Sequence, residues 1–305
     1  MAGLEPPGQP AHRQAHPEDS RPVAVITGTT HGIGRVSALE LARAGRRVVM
    51  LCRDIPAAQD VRAGILAQVP GAAVEVVGCD LASLESVRAA AAAVRAAHPV
   101  IQLLINNAGI VSTRRRRSAE GYELTFATNH LGPFLLTQLL RDALVPGARI
   151  INVSSRVHYR GRLELAPGGA DLAAITGGAG RYRSVAAYAR SKLANVLHTF
   201  ALARRLAQRG ISANCLHPGV VATHLLPGWL NAVRPLFKRV ILSPEQGART
   251  TLYLALSREA GDVTGRYYDE HQQPQPAAAA ALDLDLQERL WELSSRWTGL
   301  GEARE

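Results

Sequence analysis

Tyr188 and Lys192 are the two residues whose types and spacing could most directly do chemistry. They lie in a run from 184 to 208 that contains no Gly or Pro. Residues four apart on a helix share a face, so the phenol and the ammonium can point into one space. A nearby cation lowers the pKa of a phenol, and such a tyrosine can exchange a proton with a carbonyl or alcohol oxygen. Taken alone, the pair is better explained by packing of Tyr188 and solvation of Lys192, because this spacing is common by chance.

Apolar strand segments alternate with helical segments along most of the chain. The strands are unbroken apolar runs, which is typical of strands buried on both faces of a parallel sheet. The alternation predicts an α/β fold with a doubly wound parallel sheet of the Rossmann type. Strands are expected at 23–26, 46–52, 73–77, 100–105, 148–153 and 211–216, and helices at 55–69, 83–97, 119–144 and 184–209.

The chain is long enough for one large domain, and no linker interrupts it between about 22 and 275. Residues 1–21 contain four Pro and few apolar residues, which indicates a disordered tail. We therefore expect a single domain over 22–300. The Pro- and Ala-rich stretch 272–281 is expected to loop out before a final helix near 285–297.

A glycine-rich segment, 27–34, directly follows the first strand and opens a helix. Glycines let a backbone approach a pyrophosphate, and a helix N-terminus offers unpaired N–H groups. A plain tight turn is the alternative, because the spacing is not G-x-G-x-x-G. Its position after the first strand favours nucleotide binding through Gly28, Thr30, His31, Gly32, Ile33 and Gly34.

The end of the second strand bears on which dinucleotide would bind. An acidic residue there often holds the ribose 2′-hydroxyl, but Cys52 cannot do so. Arg53 can pair with a 2′-phosphate, which favours NADP(H) over NAD. Asp54 could still face the ribose, and Arg53 could be an ordinary surface residue.

Polar and small residues end the third and fourth strands at the same edge of the sheet. Asp80, before Leu81, can accept a hydrogen bond from an adenine amino group, and Ser83 nearby can cap the next helix. Small residues after Asn106 leave room for a flat ring. The cofactor contacts expected here are Asp80, Leu81, Asn107, Ala108 and Gly109.

Five motifs, in order, resemble the short-chain dehydrogenase/reductase family over roughly 22–270. They are Thr27-Gly28-x-x-x-Gly32-x-Gly34, Asn106-Asn107-Ala108-Gly109, Ser155, Tyr188-x-x-x-Lys192 and Pro218-Gly219. The resemblance implies that Tyr188 is the general acid or base, that Lys192 holds the nicotinamide ribose and lowers the pKa of Tyr188, and that Ser155 binds the substrate oxygen. It also implies that Asn129 braces Lys192 through a water. The nicotinamide end of the cofactor would be wrapped by Pro218, Gly219, Val221 and Thr223, with the Val221 backbone near the carboxamide and Thr223 near phosphate.

Longer stretches, including 129–137, 191–197 and 217–221, look like the retinol dehydrogenase-like branch of that family. This resemblance implies an NADP(H)-dependent enzyme acting on a lipophilic alcohol, aldehyde or ketone. The segment 224–243, rich in Leu and aromatic residues, is interpreted as an apolar lid rather than a membrane-surface patch or a packed helix pair. The Gly-rich excursion between Ser155 and Tyr188 puts any close substrate analogy in doubt.

Charge and composition bound the other functions. The net charge of +10 invites nucleic-acid binding, but the arginines are mostly scattered and the run 114–117 lacks interleaved aromatics. No metal site is expected from His130 or His158, because no second ligand is suitably spaced. Three separated cysteines and the lack of an apolar leader or span suggest a soluble, cytoplasmic protein.

Two further expectations concern partners and rivals. Homo-oligomerisation is implied by the resemblance, with the helices at 119–144 and 184–209 as the interface. A catalytically silent NADP(H)-binding sensor or scaffold is the alternative function, although all four catalytic positions are filled.

Overall fold

Six parallel strands, five of them largely buried and apolar and the sixth a half-buried edge strand, form most of the sheet. A computed structural model describes residues 20–176, 181–221 and 242–301. The strands are β1 Val23–Thr27, β2 Arg47–Cys52, β3 Val74–Gly78, β4 Ile101–Asn106, β5 Leu144–Val153, β6 Ser212–Leu216, β7 Tyr267–Tyr268 and β8 Pro274–Gln275. They lie in the order β3-β2-β1-β4-β5-β6-β7-β8, and every neighbouring pair is parallel except β7–β8.

Helices cover both faces of this sheet, as the predicted doubly wound fold requires. They are α1 Gly32–Arg43, α2 Ile55–Gln68, α3 Leu84–Ala97, α4 Leu124–Phe126, α5 Gly132–Leu140, α6 Ala170–Ile175, α7 Ser184–Leu206, α8 Pro244–Leu256 and α9 Leu284–Trp297. The final helix and the glycine-loop helix were both expected from the sequence, and both are confirmed.

Alternate residues of each central strand supply the two hydrophobic cores. Val25 and Leu104 pack with α3, α5 and α7, whereas Ile26 and Ile105 pack with α1, α2 and α8. Side chains alternate across a strand, so an unbroken apolar run fills both sides of the sheet. This packing holds the carboxyl ends of β1 to β6 along one edge.

The prediction of one regular helix over 119–144 is wrong at both ends, and the observed helix is interrupted. It begins only at α4, because the Glu123 carboxylate caps it by accepting from Thr125 N at 2.8 Å and Phe126 N at 2.9 Å. A π-helical turn, Ala127–Leu131, separates α4 from α5. Strand β5 begins at Leu144 rather than 148.

Residues after β6 hold elements that the sequence analysis did not predict. Helix α8 has a readable signal, a capping box in which Ser243 and Gln246 exchange hydrogen bonds with Pro244 in the first turn. Strands β7 and β8 are two residues each, too short for any periodic pattern. The stretch 272–281 does not simply loop out, because it contains β8 and the start of a 3-10 turn, Ala279–Leu282.

The excursion between Ser155 and Tyr188 is partly anchored to α7. It starts with a 3-10 turn, Arg156–Arg160, and contains α6. The Asp171 carboxylate accepts from Glu164 N at 2.9 Å and forms an ion pair with Arg190. Residues 177–180 lie outside the described ranges.

Helix α9 covers part of the face formed by α4, α5 and α7. Trp291 lies edge-on to Phe134, with ring centroids 5.2 Å apart, and Trp297 lies edge-on to Phe126 at 6.3 Å. The buried pair His130 and His198 sits in this aromatic contact, 5.8 Å apart. The face expected to be an oligomer interface is thus partly occupied by the chain itself. Homo-oligomerisation stays a prediction.

Candidate active site

A cleft of about 590 Å³ runs along the carboxyl ends of the central strands. Because the sheet order is known, the loops follow one another along the cleft in the same order. Asp80 follows β3, Arg53 follows β2, the glycine loop follows β1, Asn107 follows β4 and Ser155 follows β5. Neighbouring strands lie about 4.8 Å apart, so Arg53 and Ser155 stand at opposite ends of the cleft.

The glycine loop is held by an amide from the neighbouring strand. Asn107 Nδ2 donates to Thr27 O at 2.9 Å and to Gly28 O at 3.0 Å. A Cβ built on Gly34 would lie 2.1 Å from Gly28 O, and one on Gly28, whose φ is +71°, would lie 2.8 Å from Ala108 Cβ. These positions therefore need glycine so that the loop can turn against the start of α1.

At the β2 end of the cleft, the two residues that could contact a ribose, Arg53 and Asp54, have different surroundings. Asp54 caps α2 by accepting from Ala57 N at 3.0 Å. Arg53 is exposed in the cleft wall, and no hydrogen bond or ion pair is found for it within the described ranges. Cys52 contacts Thr29 Oγ1 through its sulfur at 3.0 Å. The carboxylate is thus engaged by the helix, whereas the guanidinium faces the cleft.

At the end of β3, the sequence left open whether the residues contact adenine or cap a helix, and the structure places Ser83 at the helix cap and Asp80 in the cleft wall. Ser83 caps α3 by accepting from Ser86 N at 3.3 Å. One Asp80 oxygen accepts from Ala82 N at 3.0 Å, and Asp80 lines the cleft with Leu81. An adenine contact by Asp80 stays a prediction.

Three polar side chains from β5 and α7 meet at the other end of the cleft. The Ser155 side chain, which accepts from Val157 N at 3.3 Å, lies near enough to the Tyr188 hydroxyl to act on its pKa. Lys192 Nζ lies 5.6 Å from the centroid of the Tyr188 ring and donates to Val153 O at 2.9 Å. Ser154 Oγ instead donates to Lys192 O at 2.8 Å, so Ser155 is the serine beside the tyrosine.

Lys192 was expected to lower the pKa of Tyr188. This expectation is wrong, because the pKa of Tyr188 is raised. Burial raises the pKa of Tyr188 to about 12, and the Ser155 side chain opposes that rise only in part. Burial also lowers the pKa of Lys192 to about 8. The sequence spacing could place the two groups on one helix face, but it could not show how strongly burial would shift the pKa of each.

Asn129 lies in the π-helical turn and ties the loop after β4 to α7. Its Oδ1 accepts from Ile110 N at 2.8 Å, while its Nδ2 donates to Ile110 O at 2.9 Å and to Ser191 Oγ at 3.0 Å. A Cβ on Gly109 would lie 3.4 Å from Asn129 Oδ1 and 3.3 Å from Lys192 Nζ. Asn129 therefore holds the loop after β4 against α7 beside the lysine, and its action through a water stays a prediction.

Most residues predicted for the cofactor and for catalysis line this one cleft. Gly32 and Asn129 are not in its wall, and Thr223 and most of the lid at 224–243 lie outside the described residues. The lining residues from the predictions are Gly28, Thr30, His31, Ile33, Gly34, Arg53, Asp80, Leu81, Asn107, Ala108, Gly109, Ser155, Tyr188, Lys192, Pro218, Gly219 and Val221.

Several lining residues were missed by the sequence analysis. Arg156 and Arg160 lie on the 3-10 turn after Ser155, and Thr128 precedes Asn129. The position of Arg156 next to Ser155 was a readable signal, whereas Arg160 and Thr128 reach the cleft only through the 3-10 and π turns. Apolar lining residues that were also missed are Ile110, Val111, Val157 and Val220.

Neither a membrane span nor a metal cluster is present in the described ranges. No helix there is long and apolar enough to cross a bilayer. Across the same residues, no three His, Cys, Asp or Glu side chains gather as a metal site would require. His158 instead bonds Ser155 O through Nδ1 at 2.8 Å and accepts from Ala278 N at 3.2 Å.

Comparison with known proteins agrees with this geometry. The family model described as short chain dehydrogenase matches residues 22–177. The chain belongs to the short-chain dehydrogenase/reductase family. It is 38% identical to human "Retinol dehydrogenase 13", over 90% of this chain and 84% of that protein. It is 39% identical to mouse "Polyprenol dehydrogenase", over 92% of this chain and 84% of the relative.

A solved member of the short-chain dehydrogenase/reductase fold shows the same similarity in three dimensions. The blue fluorescent protein from a metagenomic library, in complex with NADPH, superposes with a TM-score of 0.64 at 28% identity. The superposition covers 81% of this chain and 95% of that chain. The resemblance to the family and to its retinol dehydrogenase-like branch is therefore confirmed, as is the doubly wound α/β fold.

Proposed function

We propose that this short-chain dehydrogenase/reductase transfers a hydride between NADP(H) and an alcohol or carbonyl substrate that is largely apolar. The observation that supports this most is the meeting of Ser155, Tyr188 and Lys192 at one end of a cleft whose other end holds Arg53. The relatives named as retinol and polyprenol dehydrogenases support the substrate class.

The cleft fits a dinucleotide in size and in the kinds of groups that line it. Its volume lies within the range of about 300–1,000 Å³ usual for cofactor sites. The glycine loop at the N-terminus of α1 would hold the pyrophosphate, since a Cβ on Gly28 or Gly34 would collide with the backbone. Arg53 would hold a 2′-phosphate, and Lys192 and Asn107 to Gly109 would border the nicotinamide half.

The side chains beside the substrate would manage one proton. A bound reduced nicotinamide supplies the hydride. In reduction, the Tyr188 hydroxyl gives its proton to the carbonyl oxygen, and Ser155 donates a hydrogen bond to that oxygen. The Lys192 ammonium then stabilises the phenolate that remains. Because burial raises the pKa of Tyr188 to about 12, the phenol holds its proton at neutral pH, which favours the reductive direction there.

The experiment that tests this function is hydride transfer with a panel of apolar aldehydes and ketones. We expect deuterium from the C4 position of labelled NADPH to appear on the carbonyl carbon with one stereochemistry. Tight NADPH binding without turnover across the panel would instead identify the catalytically silent sensor, which is the second candidate.

Cofactor choice has its own test at the β2 end of the cleft. Arg53→Ala should weaken NADPH binding by roughly tenfold and leave NADH binding unchanged, because only NADPH carries the extra phosphate. Arg43→Ala, on the exposed end of α1, is the matched control. Equal affinity of the wild type for NADPH and NADH would remove the assignment of Arg53.

A further inference from the structure

The walls at the two ends of the cleft differ in their acidic residues. The only acidic residues in the described wall are Asp54 and Asp80, and both follow strands at the β2–β3 end. Asp54 caps a helix and Asp80 holds a turn. At the β5–β6 end, the described wall contains no carboxylate.

Two arginines instead occupy that substrate end. Arg156 directly follows Ser155, and Arg160 ends the same 3-10 turn. Both side chains are exposed in the cleft wall, and the structure shows no ion pair or hydrogen bond for either among the described residues. Two uncompensated guanidinium groups beside the reacting centre create a positive potential that attracts an anion.

No carboxylate among the described residues forms an ion pair with either arginine. Asp269 and Glu270 act on His217 from behind the wall, with Glu270 Oε2 3.7 Å from His217 Nε2, and neither of them lines the cleft. Burial lowers the pKa of His217 to about 4, and the charge of Arg156 adds to that lowering against the two carboxylates, so His217 is neutral at pH 7.

The cofactor phosphates would lie elsewhere along the cleft. The glycine loop that would hold a pyrophosphate follows β1, and Arg53 follows β2. One strand, β4, lies between β1, which leads into the glycine loop, and β5, which leads to Arg156. The arginines therefore face the substrate side, next to the apolar side chains of Val157 and Val220.

Resting on the proposed function, we infer that the substrate is an amphiphile: an apolar alcohol or carbonyl compound that carries an anionic group, either a carboxylate or a phosphate, bound by Arg156 and Arg160. Val157 and Val220 contact its apolar body, and the guanidinium fork matches the planar or bidentate geometry of these anions.

The test compares substrates that differ only in charge. The ω-oxo carboxylates, of short and of long chain because Arg156 directly follows Ser155, are assayed with NADPH against their methyl esters, and ω-oxo alkyl phosphates of equal length form the third arm. The wild type should prefer the carboxylate or the phosphate to the ester by about tenfold in kcat/KM, mostly through KM, because the anion contact acts on binding. Whichever anion is preferred identifies the source of the charge.

Variants of Arg156 and Arg160 test whether these two residues cause the preference for the anionic substrate. Arg156→Gln with Arg160→Gln should remove the preference for the anion and change the ester by less than twofold. Arg162→Gln is the matched control, since Arg162 is exposed beside the same turn but is not in the cleft wall. The single variants, checked by thermal unfolding, carry the test if the double variant folds poorly. An equal rate for acid and ester, an equal loss for both, or the same loss in Arg162→Gln would overturn the inference.

A binding measurement separates this inference from the proposed function. Calorimetry with NADP⁺ present gives the Kd of the ω-oxo carboxylate and of its ester. Tighter binding of the acid, abolished in the Arg156 and Arg160 variants, supports the anion site even if no compound is turned over, in which case the proposed function fails alone. Acid binding no tighter than ester binding overturns the anion site whether or not turnover occurs.

Discussion

Helix α7 carries two buried titratable side chains, Lys192 and His198, that differ in almost every other respect. Lys192 is 3% exposed, lines the cleft and donates to Val153 O. His198 is 4% exposed and lies two turns further along, against Phe134 and Trp291. Its Nε2 has no hydrogen-bond partner among the residues that the structure describes, so one helix places one buried group in the site and another in an aromatic core.

The contrast shows that burial alone does not identify a functional group. Burial lowers the pKa of Lys192 to about 8, and it also holds the pKa of His198 well below its ordinary value. Each has a titratable neighbour, Tyr188 beside Lys192 and His130 beside His198, but only Lys192 opens to the cleft. Access to the cleft is what distinguishes the two groups.

The largest expected effect is at Tyr188. Tyr188→Phe should lower kcat for carbonyl reduction by about a hundredfold to ten-thousandfold, because it removes the proton donor. NADPH affinity should change little. Tyr182→Phe is the matched control, since Tyr182 bonds Glu123 Oε1 at 3.0 Å and is not in the cleft wall. Similar kcat losses in the two variants, measured by NADPH oxidation, would contradict the role of Tyr188.

A second effect should appear in the pH dependence of the same reaction. Reduction needs a protonated Tyr188, which persists below about pH 12, and a charged Lys192, which is lost as the pH rises through about 8. The reduction rate should therefore be level below pH 8 and fall above it.

Lys192→Arg provides the check, because a guanidinium keeps its charge throughout this range. The decline above pH 8 should disappear in this variant even if its maximal rate is lower. An unchanged decline would mean that another group, not Lys192, sets the alkaline limb.

The smallest effect concerns stability and tests the other buried group. The pKa of His198 is lowered on folding, so the unfolded chain binds more protons as the pH falls below about 6.5, and stability is lost there. One such histidine lowers the unfolding free energy by about 2 kcal/mol between pH 7 and 5. His198→Leu should remove that contribution to the loss. Urea unfolding at the two pH values measures it.

The exposed His271 supplies the control for that measurement. His271→Leu should leave the difference in unfolding free energy between pH 7 and 5 as in the wild type. Turnover should be unaffected in both variants. A loss of turnover in His198→Leu would mean that the aromatic core and the cleft are coupled.

Sequence patterns predicted what depends on residue type and period. The unbroken apolar strands revealed the sheet, and the spacing of Tyr188 and Lys192 placed both in one cleft. The patterns failed where backbone hydrogen bonds decide, as at Glu123, whose carboxylate starts α4 later than expected. They also failed where burial decides, as in the raised pKa of Tyr188. Arg160 was missed because only the 3-10 turn brings it to the cleft.

The π-helical turn at Ala127–Leu131 has a consequence for how the chain tolerates deletion. An α-helix advances about 100° per residue, so loss of one residue in this turn would rotate everything after it by that angle. Phe134, which now packs on Trp291 and His198, would swing out of its contact, or Asn129 would release the backbone at Ile110. The extra residue in the π-helical turn thus lets Asn129 bond the loop beside the active site while Phe134, further along, packs in the aromatic core.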